Sequence, residues 1–285
     1  MKWLIRIGAG LVGLLLIAII GFQVFKTQIA MAGFKRAVAA NVGRDASETL
    51  PDGLHVFVCG AGTPLPDPKR AGPCLAVLAG NHAFVFDAGS GGSRNLNRMG
   101  FPLGKVEGIY LTHLHSDHMD GLGELLMQAW VNGGRDEPMP VSGPRGVDEV
   151  VDGFNAAYRI DGTFRTAHHG LDIANPAGRG GVGETITLPA GPGSQAVVFD
   201  EDGVKITAFT VSHAPVEPAF GYRIDYKGRS VAFSGDTIYS PNLVGASKGV
   251  EVLFHEALDP EMVGVMHEAA IAHDVQGIPQ ILDDI

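Results

Sequence analysis

One stretch constrains this chain more than any other: Thr112-His113-Leu114-His115-Ser116-Asp117-His118-Met119-Asp120-Gly121. Three histidines and an aspartate fall between His113 and His118. The apolar run Val106 to Leu111 before it reads as a buried strand, and Leu122, Leu125, Leu126 and Ala129 after it recur at helical spacing. The cluster therefore sits at a strand end, in a turn and at a helix start. In extended chain, residues two apart point the same way, so His113 and His115 can grip one ion together. Asp117 and His118 lie past the turn, which suits a second ion close by. Imidazole and carboxylate are ligands for zinc, and with less preference for manganese or iron.

The chain is long enough, at 285 residues with 45% hydrophobic, to build one large α/β domain around a core. Net charge is −10, and the first fifty residues set Lys2, Arg6, Lys26, Lys35, Arg36 and Arg44 against only Asp45 and Glu48. The remainder is thus more acidic than the whole, a poor general surface for a polyanion. Cys59 and Cys74 both lie in apolar, strand-like runs. They read as small buried residues, with a disulfide as the alternative.

Ile7 to Phe25 is an almost unbroken uncharged apolar run, long enough to span a bilayer as a helix. An uncleaved anchor is expected, with a cleaved leader ending at Ala30-Met31-Ala32 as the alternative. Phe34 to Val42 reads as a short helical stalk. The expected division is an anchor and stalk over 1–50 and a catalytic domain over 51–285. Expected strands are Leu54–Cys59, Cys74–Ala79, Ala83–Phe86, Val204–Val211, Ser230–Phe233 and Val250–Phe254. Helices are expected over Arg94–Met99, Val147–Tyr158 and Glu261–Ala272, and the glycine-rich segment from Phe164 to Gly193, with His168-His169, reads as irregular.

The His113–His118 pattern resembles the His-x-His-x-Asp-His signature of the metallo-β-lactamase superfamily, and its flanks resemble the ribonuclease Z and arylsulfatase-like branch. Four further motifs extend the resemblance: Asp87-Ala88-Gly89, Ser212-His213 followed by Gly221-Tyr222, Ser234-Gly235-Asp236-Thr237, and His255-Glu256-Ala257. The stretch from Cys59 to Cys74 resembles anchored metallohydrolases associated with guanitoxin biosynthesis. The implied fold is an α/β, four-layer αββα sandwich behind one N-terminal transmembrane helix. The implied cofactors are two divalent ions, foremost Zn2+, with Mn2+ or Fe2+ as alternatives. His113, His115 and His213 would hold one, Asp117 and His118 the other, and Asp236 would bridge them. Asp87 would support the site from behind. The reaction implied is cleavage of an ester-type bond by a metal-bridging hydroxide, with Asp117 and His255 catalytic, His255 donating a proton to the leaving group and Glu256 or a neighbour orienting it.

The family usually has another ligand histidine further on. His267 and His273 lack its expected following residue, and the family's last strand and helix are missing from this sequence, so a partial sequence is expected. The tRNA-holding arm common in ribonuclease Z proteins has no evident counterpart. A small phosphate or sulfate ester is therefore the expected substrate, handled by a membrane-anchored enzyme with its domain outside the cytoplasm. A ribonuclease Z-like tRNA-processing endonuclease is the alternative, and an inactive metal-binding member a second one. Nucleic acid is the less favoured partner, and a homodimer is compatible with the sequence.

Overall fold

Two kinds of strand build two kinds of sheet. His82–Phe86 is buried at every position, whereas Val204–Val211 alternates buried and exposed over its first residues. A strand covered on both faces reads as a continuous apolar run, and one covered on a single face alternates. The computed structural model describes residues 2–65 and 67–283. Met1, Pro66 of the proline-rich loop, Asp284 and Ile285 lie outside the described residues.

In chain order the elements are α1 (Lys2–Asn41), α2 (Ala46–Thr49), β1 (Leu54–Gly60), β2 (Cys74–Ala79), β3 (His82–Phe86), α3 (Gly92–Met99), β4 (Val106–Tyr110), α4 (Ser116–Met119), α5 (Leu122–Gly133), β5 (Met139–Gly143), α6 (Val147–His169) and β6 (Gly181–Thr185). Then come β7 (Gln195–Glu201), β8 (Val204–Val211), β9 (Ala219–Tyr226), β10 (Arg229–Phe233), α7 (Pro241–Ala246), β11 (Val252–Phe254), α8 (Pro260–Ala272) and α9 (Ile278–Asp283). One sheet runs β1-β2-β3-β4-β5-β6 and the other β11-β10-β9-β8-β7. In the first, β1, β2 and β3 pair antiparallel, and β3 through β6 pair in parallel. In the second, β11 is parallel to β10 and the other pairs are antiparallel.

The core has two storeys. Val77, Phe84, Phe86 and Tyr110 from the first sheet meet Ile206, Phe220, Tyr222 and Phe233 from the second. On the first sheet's other face, Leu78, Val85, Ile109 and Val141 meet Leu96 of α3, Leu125 of α5 and Val151 of α6. With α7 packed on β8, this is the expected αββα layering.

Three local expectations change. The N-terminal span and the stalk form one continuous helix, α1, whose large apolar side chains from Ile7 to Val38 are exposed. At 1.5 Å per residue it is about 60 Å long, and it is long and apolar enough to cross a membrane. The helix beginning at Val147 continues to His169 instead of stopping near Tyr158. It passes Gly162, where a Cβ would lie 2.2 Å from Cδ of Arg179, so tertiary packing demands a residue that weakens the sequence signal for a helix. Finally, Cys59 and Cys74 are joined in a disulfide with Cα atoms 5.0 Å apart, tying the end of β1 to the start of β2.

Candidate metal centre

The site assembles where loops leave the strand ends of both sheets. After β4 the chain bends at Thr112, His115 is extended at the N-cap of α4, and α4 begins at Ser116. The second sheet clamps this loop. Tyr222 Oη donates to Leu111 O at 2.7 Å, and Phe220 N donates to Thr112 O at 2.9 Å. Gly235 approaches it closely, with φ of 61° and a would-be Cβ 2.9 Å from Cβ of Thr112. A larger residue there would push the Asp236 loop off the histidine loop.

His113, His115, His213 and Asp236 come together, with one ligand atom from each lying within 4.8 Å of all the others. His213 Nε2 faces His115 Nδ1 at 3.3 Å. Asp236 spans two groups: its Oδ2 is 3.9 Å from His113 Nε2, and its Oδ1 is 3.2 Å from His118 Nε2. Asp117 Oδ2 lies 3.7 Å from that same His118 nitrogen. Asp117 and Asp236 thus both face His118 Nε2, beside the four-residue cluster.

Behind these ligands lies a hydrogen-bond relay that fixes which ring nitrogens face forward. His118 Nδ1–H donates to Asp87 Oδ2 at 2.8 Å. His113 Nδ1–H donates to Thr112 Oγ1 at 3.1 Å, and Thr112 in turn donates its hydroxyl and its backbone N–H to Asp87. Both Nε2 atoms are left buried without a directed hydrogen bond among the described residues. Buried polar atoms are normally paired. Two orphaned imidazole nitrogens flanking a shared carboxylate are a donor set suited to divalent ions, so these residues fit the metal that the pattern implies.

Charge follows the same geometry. Burial and the neighbouring His118 push the His113 pKa far down, keeping it neutral. Burial alone would lower His118, but Asp87 on one side and Asp236 on the other hold it up to about 11. Burial tends to raise Asp236, yet His118 and the other imidazoles bring it below its ordinary value. A metal ion bound by His118 must displace its proton, so such binding weakens as pH falls.

The other expected residues fall on either side of the outline. The loop holding His255 and Glu256 is stitched to the Asp236 loop by Ser234 N to Phe254 O at 3.0 Å and Glu256 N to Ser234 Oγ at 3.2 Å. His255 Nδ1–H donates to the backbone carbonyl of Glu256 at 2.7 Å, so Glu256 orients it through the main chain. The Glu256 carboxylate instead accepts from Thr237 N. Its pKa is raised by burial, opposed by the Thr237 amide. His267 pairs with Asp283, and His168 and His169 end α6 on the surface. Thr112 and the Leu111 carbonyl had no separate signal in the sequence. Their part is visible only once Asp87 and Tyr222, each already in a quoted motif, are seen to touch them.

The chain is similar to known proteins over most of its length. Residues 68–263 match the family described as the metallo-beta-lactamase superfamily. Ribonuclease Z of Mycobacterium bovis (strain BCG / Pasteur 1173P2) is 36% identical over 212 residues, covering 74% of this chain and 72% of that protein. Ribonuclease Z of Mycobacterium avium (strain 104) is 34% identical over 75% of this chain and 73% of that protein. The crystal structure of the short form of human tRNase Z superposes with a TM-score of 0.57 at 25% identity, covering 75% of this chain and 82% of that one.

Proposed function

The chain belongs to the metallo-β-lactamase superfamily, in its ribonuclease Z branch, and is a metal-dependent hydrolase; we propose that it cleaves a phosphodiester with two divalent ions, foremost zinc. The observation that carries this reading is Asp236, whose two oxygens face two separate histidine groups. His113, His115 and His213 would hold the first ion and Asp117 and His118 the second, with Asp236 shared. Bound there, such ions lower the pKa of water and neutralise charge on a phosphoryl group. Asp87 and Thr112 keep the imidazoles turned with Nε2 forward. With Nδ1–H committed to the Glu256 carbonyl, His255 presents Nε2, and the doubly protonated ring would give its Nε2 proton to the leaving oxygen, becoming neutral with Nδ1–H retained.

A second reading keeps the same chemistry and changes the substrate to a small phosphate or sulfate ester. Three observations favour it: the apolar, exposed helix α1, the Cys59–Cys74 disulfide and the acidic body. Disulfides persist in oxidising compartments, which suits a domain held outside the cytoplasm. On this reading, residues 1–50 are anchor and stalk and 51–285 the hydrolase, with Asp45 and Ala46 already seated on the domain. Full-length protein in detergent, loaded with zinc, should hydrolyse bis(p-nitrophenyl) phosphate. Side-by-side assays on precursor tRNA and on monoesters decide between the readings. No turnover of any of these, with metal bound, would reject both.

A further inference from the structure

Immediately after Asp236 and Thr237, two large apolar side chains face outward: Ile238 is 71% exposed and Tyr239 is 80% exposed. Single exposed hydrophobics are ordinary. This pair differs in where it sits and in the hydrogen bonds that hold the backbone of Ile238. Ile238 N donates to Ser212 O at 2.9 Å, beside His213, and Thr237 Oγ1 donates to Ile238 O at 2.8 Å. Thr237 Oγ1 also accepts from Ser212 N at 3.0 Å. On the other side, Ser240 is buried and caps α7. The Tyr239 Cα is three residues from that of Asp236, hence within about 11 Å of it at 3.8 Å per step. No hydrogen bond takes up the Tyr239 hydroxyl among the described residues.

We propose that Tyr239 is a stacking platform that selects substrates with a planar ring next to the scissile phosphate, as in a nucleotide. The inference rests on the phosphodiester reading above and adds to it the group attached to the phosphorus. Tyr239 directly follows the hydrogen-bonded Ile238, so its exposed ring is offered close in the chain to the ligand cluster, with only its own side-chain torsions to fix when a base lies on it. Every base has a face to offer, so preference would be for a ring and not for a sequence. Aromatic stacking is worth about 1–3 kcal/mol per base, or about 5- to 150-fold in affinity.

The test is calorimetric binding to zinc-loaded, full-length protein in detergent of three ligands: uridine 5′-monophosphate, phenyl phosphate and methyl phosphate. Wild type should bind the two ring-bearing ligands more tightly than methyl phosphate. Tyr239→Ala should weaken those two by about 5- to 150-fold and leave methyl phosphate unchanged, while Tyr239→Phe should match wild type. Equal binding of all three by wild type, or an equal effect of Tyr239→Ala on all three, would overturn the platform. Loss in Tyr239→Phe would assign the hydroxyl and overturn it too, and tight uridine 5′-monophosphate with weak phenyl phosphate would assign base-edge recognition instead of stacking. Turnover of bis(p-nitrophenyl) phosphate is measured on the same preparations. If turnover persists while the ring preference is absent, the hydrolase reading survives and the platform does not; if the ring preference persists without turnover, the reverse holds.

Discussion

The two sheets do different work with different sequence. The first sheet is covered on both faces, and its strands β2 and β3 are almost wholly buried. It delivers His113, His115, Asp117 and His118 from one contiguous stretch, the loop after β4 and the short helix α4. The second sheet packs its inner face on the first and leaves much of the outer face to solvent, as at Val197, which is 53% exposed. It delivers His213, Asp236 and His255 one at a time, from three separate strand ends. One half can therefore be read as a contiguous motif, whereas the other half matters only through where its strands end. The contrast also divides the proposed chemistry: a dense cluster of candidate ligands from one side, and from the other His213, the carboxylate proposed to be shared and the candidate proton donor.

The sharpest way to break this contrast is to remove Asp236. Asp236→Ala and His113→Ala should each abolish turnover, but Asp236→Ala should lower bound metal at both positions. Equal metal content in wild type and Asp236→Ala, by elemental analysis after dialysis, would contradict a shared ligand. Packing gives the next largest effect. Phe86 stands in the inter-sheet core with ring centroids 5.3 Å from Tyr222 and 4.9 Å from Phe233. Phe86→Ala should cost about 3–5 kcal/mol in denaturant unfolding, while Val197→Ala on the open face should stay within about 0.5 kcal/mol. Comparable losses would mean that the two faces are equally buried in solution.

His255→Ala tests the division of chemistry. Turnover with a poor leaving group should drop about a hundredfold, the scale of a lost general acid, and far less with p-nitrophenolate, which departs without a proton. Bound metal should not change; a lost metal equivalent would make His255 a ligand.

The smallest effect lies where the chain enters the first half. Asp45, which caps α2, meets Lys105 at 2.7 Å. Burial would raise Asp45, but Lys105 and Ser47 bring it below its ordinary value, and the bond to Asp45 raises Lys105. The lowered carboxyl stabilises the fold above its unfolded pKa of about 3.9 and ceases to do so as pH falls through the folded value. The raised ammonium stabilises below about pH 10.4 and is lost as pH rises through its folded value. Solvent screening keeps such a pair under about 1 kcal/mol. Lys105→Met should thus lower the melting temperature slightly at pH 7, with the difference from wild type closing below about pH 4. An unchanged difference at pH 3 would point to lost packing by the lysine stem.

By itself the sequence determined what depends on neighbours along the chain. Spacing of two and three residues from His113 to His118, at a strand end and a helix start, is enough to mark candidate ligands, because strand and turn geometry are local. Alternation in β8 and continuous burial in β3 are local as well. Tertiary structure decided what depends on contacts between distant segments. It paired Cys59 with Cys74, since register between β1 and β2 sets that distance. It carried α6 through Gly162, a residue poor for helices, against which the Arg179 side chain packs. It aimed Asp87 at both Thr112 and His118, turned the two oxygens of Asp236 toward two histidine groups, and left Tyr239 facing outward beside them. Side-chain direction at a site built from both sheets follows from how the sheets pack, and no spacing within one strand encodes that.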